Sequence, residues 1–296
     1  MIIITDRPGQ LSNRLWSYTP LIAFCLEHNI NLKVLYFNHY SRYFVNVNRI
    51  ENIKIGLVKS FNSYKVARYL LNFLKRTRTQ KFFTQLKVVD YTFPDFETLE
   101  KYIKKNRGLI FMQSWNQPVN IELISKHKKS VIEIFKPKLS ICNHIDHLFK
   151  EKRELNDIVV GVHIRKGDYK QFNSGKYFFS NNIYLRYMKL IQEQLNAERK
   201  TNVVFFLCSD EQIDLNAFLS LNAFNAKKPT AVHDQYALSK CNYIFGPPST
   251  FSMWASFIGN VPLAFIETEG EKITLSDFSP IVARDVFEDG RTYQLS

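Results

Sequence analysis

Short runs of apolar residues alternate along the chain with longer stretches in which apolar positions recur every three or four residues. The runs at Ile2–Thr5, Leu32–Tyr36, Gly108–Met112, Ile158–Ile164, Val203–Cys208, Tyr243–Phe245 and Pro262–Ile266 are apolar on both faces, as strands buried in a parallel sheet are. Helical spacing marks Asn13–Glu27, Tyr64–Leu86, Asp95–Lys105, Asn181–Glu198, Gln235–Lys240 and Phe251–Ile258. The alternation predicts an α/β protein with doubly wound parallel sheets. A polar stretch, Lys150–Asp157, precedes the strand at Ile158 and predicts a boundary there, with one α/β domain over 1–156 and a second over 157–296. Two such domains facing a cleft would place a ligand at the carboxyl ends of their strands.

Composition narrows the picture. The 296 residues are 45% hydrophobic and 23% charged, enough to bury a core without disulfide or metal staples. Only ten Gly and ten Pro occur, which excludes disordered and collagen-like classes. No apolar run reaches the ~18 residues of a membrane span, and the N-terminus lacks the basic-then-apolar pattern of a signal peptide. Cys25, Cys142, Cys208 and Cys241 are too scattered for a zinc site or a disulfide framework. They read as small buried hydrophobes of a protein in a reducing cytosol. The net charge of +13 is uneven. Residues 1–156 hold 26 Lys/Arg against 12 Asp/Glu, while 157–296 hold 14 against 15. From Asn52 to Val89 there are nine basic residues and no acidic one, an asymmetry that usually reflects an anionic partner.

Four segments carry candidate chemistry. In the first, the strand ending Val162-His163-Ile164-Arg165 runs into Lys166-Gly167-Asp168-Tyr169. Period-two alternation delivers His163 and Arg165 to one face and turns Lys166 elsewhere. Arg165 is a permanent cation with a planar fork of donors suited to phosphate, Gly167 lets the backbone turn, and Asp168 can hold the arginine or accept a hydroxyl. In the second, Gly246-Pro247-Pro248 turns out of a strand into Ser249-Thr250-Phe251-Ser252, where Ser249 or Thr250 can cap a helix whose N-terminus suits an anion. Trp254 and Phe257 read as core. The third, Gly9-Gln10-Leu11-Ser12-Asn13-Arg14, is a glycine turn opening a helix, without the dinucleotide fingerprint. The fourth comprises Ser209-Asp210 at a strand end and His233-Asp234 before a short helix, with Asp234 able to accept the ring N–H and amine of a guanine.

Together these residues resemble the fucosyltransferase superfamily, whose members share a strand followed by His-x-Arg-Arg-Gly-Asp and a late Ser-Ser/Thr-Phe-Ser segment before a helix. The bacterial α-1,2-fucosyltransferases are the nearest in pattern. Their Gly-Gly-Leu-Gly-Asn-Gln turn is similar to Gly9–Arg14, and their Asn-Ser-Ser-Phe-Ser-Trp-Trp segment to Pro248–Trp254. The resemblance covers about 60 residues, the N-terminal turn and three patches between Val159 and Gly259; residues 37–150 take no part in it. It implies a GT-B-like fold of two Rossmann-like domains, with the donor GDP-fucose in the C-terminal domain, the acceptor on the N-terminal side, and no cofactor or metal. Arg165 would bind the β-phosphate, His163 and Asp234 the nucleoside, and Ser249, Thr250 and Phe251 the pyrophosphate; Ser209, Asp210 and Ser252 complete the donor-side set. Asn13 would approach the transferred sugar or the phosphate. The departures are Lys166 for an arginine, Ser12 for a glycine, and Pro247-Pro248, which leave the sugar open.

Fucosyl transfer builds negative charge on departing GDP, which Arg165 and the helix N-terminus at 249–252 would stabilise. Asp6 and Asp168, each beside a strand end, are candidate general bases, and transfer without a protein base is a third option. The competing functions are transfer of another GDP-sugar, a non-catalytic GDP- or glycan-binding protein, and a nucleic-acid binder. The last has only the charge in its favour, with no matching motif, so nucleic acid is not expected as a partner. The expected partners are a GDP-sugar and an oligosaccharide or lipid-linked glycan. In Tyr64–Lys87, Val66, Tyr69, Leu70, Phe73 and Leu74 form an apolar stripe among seven basic residues. This reads first as a helix packed on the core with a solvated basic face, second as a peripheral contact with the anionic inner face of a membrane, and third as a site for an acidic glycan.

Overall fold

The computed structural model describes residues 1–58, 61–76, 85–89, 91–115, 117–199, 201–270, 272–284 and 292–294. The chain forms two compact units, Met1–Lys138 with Ala283–Tyr293 and Leu139–Val282 with Gln294–Ser296.

In the first unit the chain runs β1 (Ile2–Ile4), α1 (Leu11–Glu27), β2 (Leu32–Val34), α2 (Asn38–Ser41), β3 (Ile53–Ile55), α3 (Phe61–Arg76), β4 (Leu86–Val89), α4 (Phe96–Lys105), β5 (Leu109–Met112) and α5 (Ile121–Ile134). The sheet order is β3-β2-β1-β5-β4, and every pairing is parallel. Central β1 is wholly apolar and buried. Leu15, Trp16, Leu21 and Ile22 of α1 are buried, and the helix packs against α5. Asp95 and Asn120 cap α4 and α5 by accepting the N–H groups of Thr98 (2.6 Å) and Leu123 (2.8 Å).

The second unit contains α6 (Leu139–Lys152), β6 (Ile158–Ile164), α7 (Asn181–Arg199), β7 (Val203–Ser209), β8 (Ala223–Phe224), α8 (Ala231–Leu238), β9 (Tyr243–Gly246), α9 (Thr250–Gly259) and β10 (Leu263–Phe265). Its sheet order is β10-β9-β6-β7-β8, again parallel throughout. All seven residues of β6 are buried, which accounts for its uninterrupted apolar pattern. Trp254 and Phe257 are core residues, 1% and 0% exposed.

All seven expected strands are present. Strands β3, β4 and β8 were not expected. They lie at sheet margins, and in β3 (Ile-Lys-Ile) and β4 (Leu-Lys-Val-Val) a lysine interrupts the apolar run. The helix expected over Tyr64–Leu86 is α3, ending at Arg76; residues 77–84 lie outside the described residues and Leu86 begins β4. The helix expected at Gln235–Lys240 starts earlier, at Ala231, because Thr230 caps it. The expected boundary at 156/157 moves to Lys138/Leu139. Helix α6, not recognised from sequence, belongs to the second unit: Phe149 meets Phe206 of β7 and Phe224 of β8 at centroid distances of 5.6 and 5.5 Å.

Candidate functional site

In the second sheet the chain builds β6, β7 and β8 to one side and then β9 and β10 to the other. β6 and β9 are therefore the neighbours at which the winding reverses, and doubly wound sheets bind ligands beyond the carboxyl ends of such a pair. The segments that follow these strands are His163–Tyr169 and Gly246–Ser252. Gly246 makes the close approach of β9 to β6 possible, since a Cβ there would lie 2.4 Å from the carbonyl oxygen of His163.

His163 is 2% exposed, and its Nδ1 has no hydrogen-bond partner. Its ring lies against that of Phe251, at the start of α9, with centroids 4.9 Å apart. Burial, reinforced by the charge of Arg165, lowers its pKa to about 3, so the ring is neutral near pH 7. Two residues on, the Arg165 guanidinium is tethered at both ends. Nη2 reaches the carboxylate oxygens of Asp168 at 2.8 and 3.0 Å, and Nη1 lies 3.5 Å from Asp210 Oδ2. The guanidinium carbon sits 5.3 Å from the centre of the Tyr169 ring. Its Nε is buried and without a partner. Buried polar groups are almost always paired, so two orphaned nitrogens on adjacent same-face residues point to a polar ligand.

Surrounding residues hold this edge in shape. The backbone N–H of Lys166 donates to Asp210 Oδ1 (2.9 Å), the N–H of Arg165 donates to the Tyr184 hydroxyl (3.2 Å), and the Tyr169 hydroxyl donates to the carbonyl of Pro248 (2.6 Å). Lys166 turns away from Arg165, as strand alternation requires: its Nζ donates to the carbonyl of Phe179 and lies over Phe178 and Tyr184. Ser249 caps α9 by accepting the N–H of Phe251 at 3.2 Å, and Thr250 is the first helical residue.

The structure reassigns several sequence candidates. Ser252 is fully buried and its hydroxyl donates to the Ser249 carbonyl (3.1 Å), so it stabilises the helix start rather than facing a ligand. Ser209 Oγ accepts the N–H of Glu211 (3.2 Å), and Asp210 acts as a clamp on Arg165 and Lys166. Asp234, on α8, is 6% exposed, and burial alone raises its pKa to about 8. No local pattern marks Tyr169 or Tyr184 as supports: Tyr169 adjoins the motif, whereas Tyr184 lies on α7.

Asp6 and Asn13 belong to the first unit. There the winding reverses between β1 and β5, and Asp6 joins the two strand ends. Its Oδ1 accepts the N–H and hydroxyl of Ser114, and its Oδ2 the N–H of Trp115, all at 2.9 Å. With both oxygens engaged, Asp6 is a structural clamp rather than a poised base. Asn13 folds over the Gly9 turn, where φ is +44° and a Cβ would meet its side-chain nitrogen. The neighbouring Arg14 is 5% exposed and donates to the Gly9 carbonyl from Nε (3.3 Å) and Nη2 (3.2 Å).

Among the described residues no group of three or more His, Cys, Asp or Glu side chains is arranged to hold a metal. A depression of about 630 Å³ beside α7, lined by Arg186, Lys189 and Glu193 among others, shares no residue with the β6–β9 edge.

Residues 137–264 match the family model Glycosyl transferase family 11. The match begins at the boundary between the two units and runs through β10, so it spans the β6–β9 edge. No curated protein matches the chain in sequence. Solved structures match its fold. A mutant of Arabidopsis thaliana FUT1 in complex with GDP is 10% identical, with 95% of this chain and 74% of that one covered and a TM-score of 0.59. NodZ α-1,6-fucosyltransferase from Bradyrhizobium, soaked with GDP-fucose, is 16% identical, with 100% and 98% covered and a TM-score of 0.53. POFUT1 in complex with GDP-fucose is 10% identical, with 90% and 97% covered and a TM-score of 0.56. The α/β architecture of two parallel-sheet units is thus the GT-B-like fold of these fucosyltransferases.

Proposed function

We propose that the protein transfers fucose from GDP-fucose to a glycan hydroxyl with inversion, without a metal, and that the linkage formed is α-1,2. The observation that carries this reading is the pair of buried, unpartnered nitrogens, His163 Nδ1 and Arg165 Nε, at the reversal point of a sheet matched by a glycosyltransferase family model. The matched fucosyltransferases whose structures hold GDP or GDP-fucose support the choice of donor, and the likeness of Gly9–Arg14 and Pro248–Trp254 to the α-1,2 pattern supports the linkage.

In this reading Arg165 receives the diphosphate. Asp168 and Asp210 keep its planar fork oriented before the donor arrives, so little reorganisation is needed as charge develops on the leaving group. Asp168 is the more exposed partner, its side chain 60% exposed against 20% for Asp210. The start of α9 adds its aligned N–H groups to the same charge. Neutral His163, lying against Phe251, offers Nδ1 to the nucleotide without adding a proton that would titrate near pH 7. Asp234 accepts the guanine N1–H and amine. The acceptor hydroxyl attacks C1 from the face opposite GDP and gives its proton to solvent, the option without a protein base, because Asp168 is engaged through both oxygens by Arg165.

The test is a panel of GDP- and UDP-sugars against oligosaccharide acceptors, with thermal stabilisation by each nucleotide measured in parallel. Stabilisation by GDP together with transfer from GDP-fucose is the expected result. Transfer from another GDP-sugar alone would replace the donor, and absence of any GDP effect would overturn the site.

A further inference from the structure

The expectation that the apolar stripe of α3 packs on the core does not hold for its described side chains; that of Leu74 lies outside them. Val66, Tyr69, Leu70 and Phe73 are 58%, 72%, 53% and 51% exposed. They are four of the twelve large hydrophobic side chains exposed among the described residues, gathered on one helix while the other eight are spread along the chain. Their spacing, i, i+3, i+4 and i+7, aligns them along one face. Lys65 and Arg76 fall at the margin of that stripe and Arg68 beyond it, at ~100° per residue, and all three are exposed. The sequence of α3, FNSYKVARYLLNFLKR, contains no acidic residue.

We propose that α3 docks the protein on an anionic lipid surface, lying in the plane of the interface. Val66, Leu70 and Phe73 enter the boundary between headgroups and acyl chains, Tyr69 sits at headgroup level, Lys65 and Arg76 meet lipid phosphates from the margin of the stripe, and Arg68 adds its charge from the far side of the helix. Charge complementarity selects this occupant. Lys65, Arg68 and Arg76 are exposed on α3, which carries no acidic residue, so a second copy of the same face would oppose like charges, whereas an anionic bilayer attracts each of them. Among the described residues no helix is long and apolar enough to cross a membrane, and at sixteen residues with four cations α3 suits lying on one. Such docking would bring a lipid-linked acceptor to the protein, but it does not depend on the proposed donor.

The test is flotation of the full chain with vesicles of phosphatidylcholine containing about 30 mol% phosphatidylglycerol, and with pure phosphatidylcholine, at roughly 50 mM salt, where screening is weak. Binding is expected to the anionic vesicles only. At about fivefold per basic residue, K65E/R68E/R76E should weaken it roughly 100-fold. V66S/L70S should weaken it about tenfold or more through lost apolar burial. Both variants should keep the wild-type circular dichroism spectrum and response to GDP. Absence of wild-type binding at low salt would overturn the proposal, as would equal binding by the variants. Dimerisation abolished by V66S/L70S, with vesicles left unbound, would assign the face to a second copy instead. Vesicle binding without any GDP-induced stabilisation would retire the donor reading and leave the docking intact.

Discussion

The carboxylate of Asp210 accepts the backbone N–H of Lys166 at 2.9 Å, tying the residue that leaves β6 to the residue that leaves β7. The same carboxylate lies 3.5 Å from Arg165, and a Cβ on Gly167 would come within 2.6 Å of it. One side chain thus fixes both the turn after β6 and the direction of the guanidinium. Asp210→Asn keeps an acceptor for Lys166 and should bind GDP within severalfold of wild type. Asp210→Ala leaves that N–H without its partner, a loss of about 1–3 kcal/mol, and should weaken GDP binding about tenfold or more. Calorimetric titration of both variants checks this; equal effects would mean that only the charge of Asp210 matters.

Arg165→Ala should abolish transfer while leaving the fold in place, because the guanidinium lies at a strand end and not in the hydrophobic cluster around β6. Removing a desolvated charge contact costs about 2–5 kcal/mol, which is roughly 30-fold or more in GDP affinity or transfer rate. Arg165→Lys should recover little of this, since an ammonium has no planar fork to span Asp168, Asp210 and a phosphate. Activity within twofold of wild type in the alanine variant would remove Arg165 from the phosphate site.

The legibility of this chain followed burial. Strands flanked on both sides, such as β1 and β6, keep continuous apolar runs that sequence alone exposes. At the margins, Lys54 and Lys87 interrupt the short runs of β3 and β4, whereas the run through β2 continues past Lys33 to Leu35 and Tyr36. The motif His163–Asp168 was readable because a strand's alternation assigns faces to its residues, and Lys166 turned away as that rule requires. Burial of Ser252 against the start of α9 is not visible in the motif, which names a residue without the helix phase that turns it inward. Tyr184 could not be read at all, since the bond from the Arg165 N–H to its hydroxyl crosses 19 positions of sequence.

Transfer should persist in the presence of EDTA. Arg165 and the N-terminus of α9 supply positive potential where a divalent ion would otherwise be required. A radiolabelled or coupled transfer assay with and without chelator decides it. Loss of activity that Mg²⁺ or Mn²⁺ restores would show that a metal shares the leaving-group charge.

Gly246→Ala should destabilise the second unit and loosen the nucleotide edge together. The added methyl would sit 2.4 Å from the His163 carbonyl, a backbone atom that cannot move without separating β9 from β6. Overpacking of this kind costs about 1–3 kcal/mol, or a fall of roughly 3–10 °C in Tm for a unit of this size. A thermal melt at wild-type Tm would show that the strands part more easily than this packing suggests.

Asp234 should give the protein a distinctive pH dependence. Burial raises its carboxyl from 3.8 to about 8. Below the lower value both the folded and the unfolded chain hold the proton. Between the two, the unfolded chain releases it and the folded chain retains it, so the contribution of this group to stability falls as pH rises and levels off above about 8. Asp234→Asn has no proton to lose and should flatten that part of the stability curve. A guanine presents two donors, N1–H and the exocyclic amine, so it requires the ionised carboxylate. GDP binding near pH 7 must therefore expel a proton, and affinity should rise by up to about tenfold per pH unit until the carboxyl is ionised in the free protein. Calorimetry in buffers of different ionisation enthalpy measures the released proton directly. Inosine diphosphate, which lacks the amine, should bind wild type about tenfold more weakly than GDP, and the difference should vanish in Asp234→Asn. A GDP affinity flat across this pH range, with no loss of discrimination in the variant, would place Asp234 outside the nucleotide site and leave it a buried carboxyl of α8.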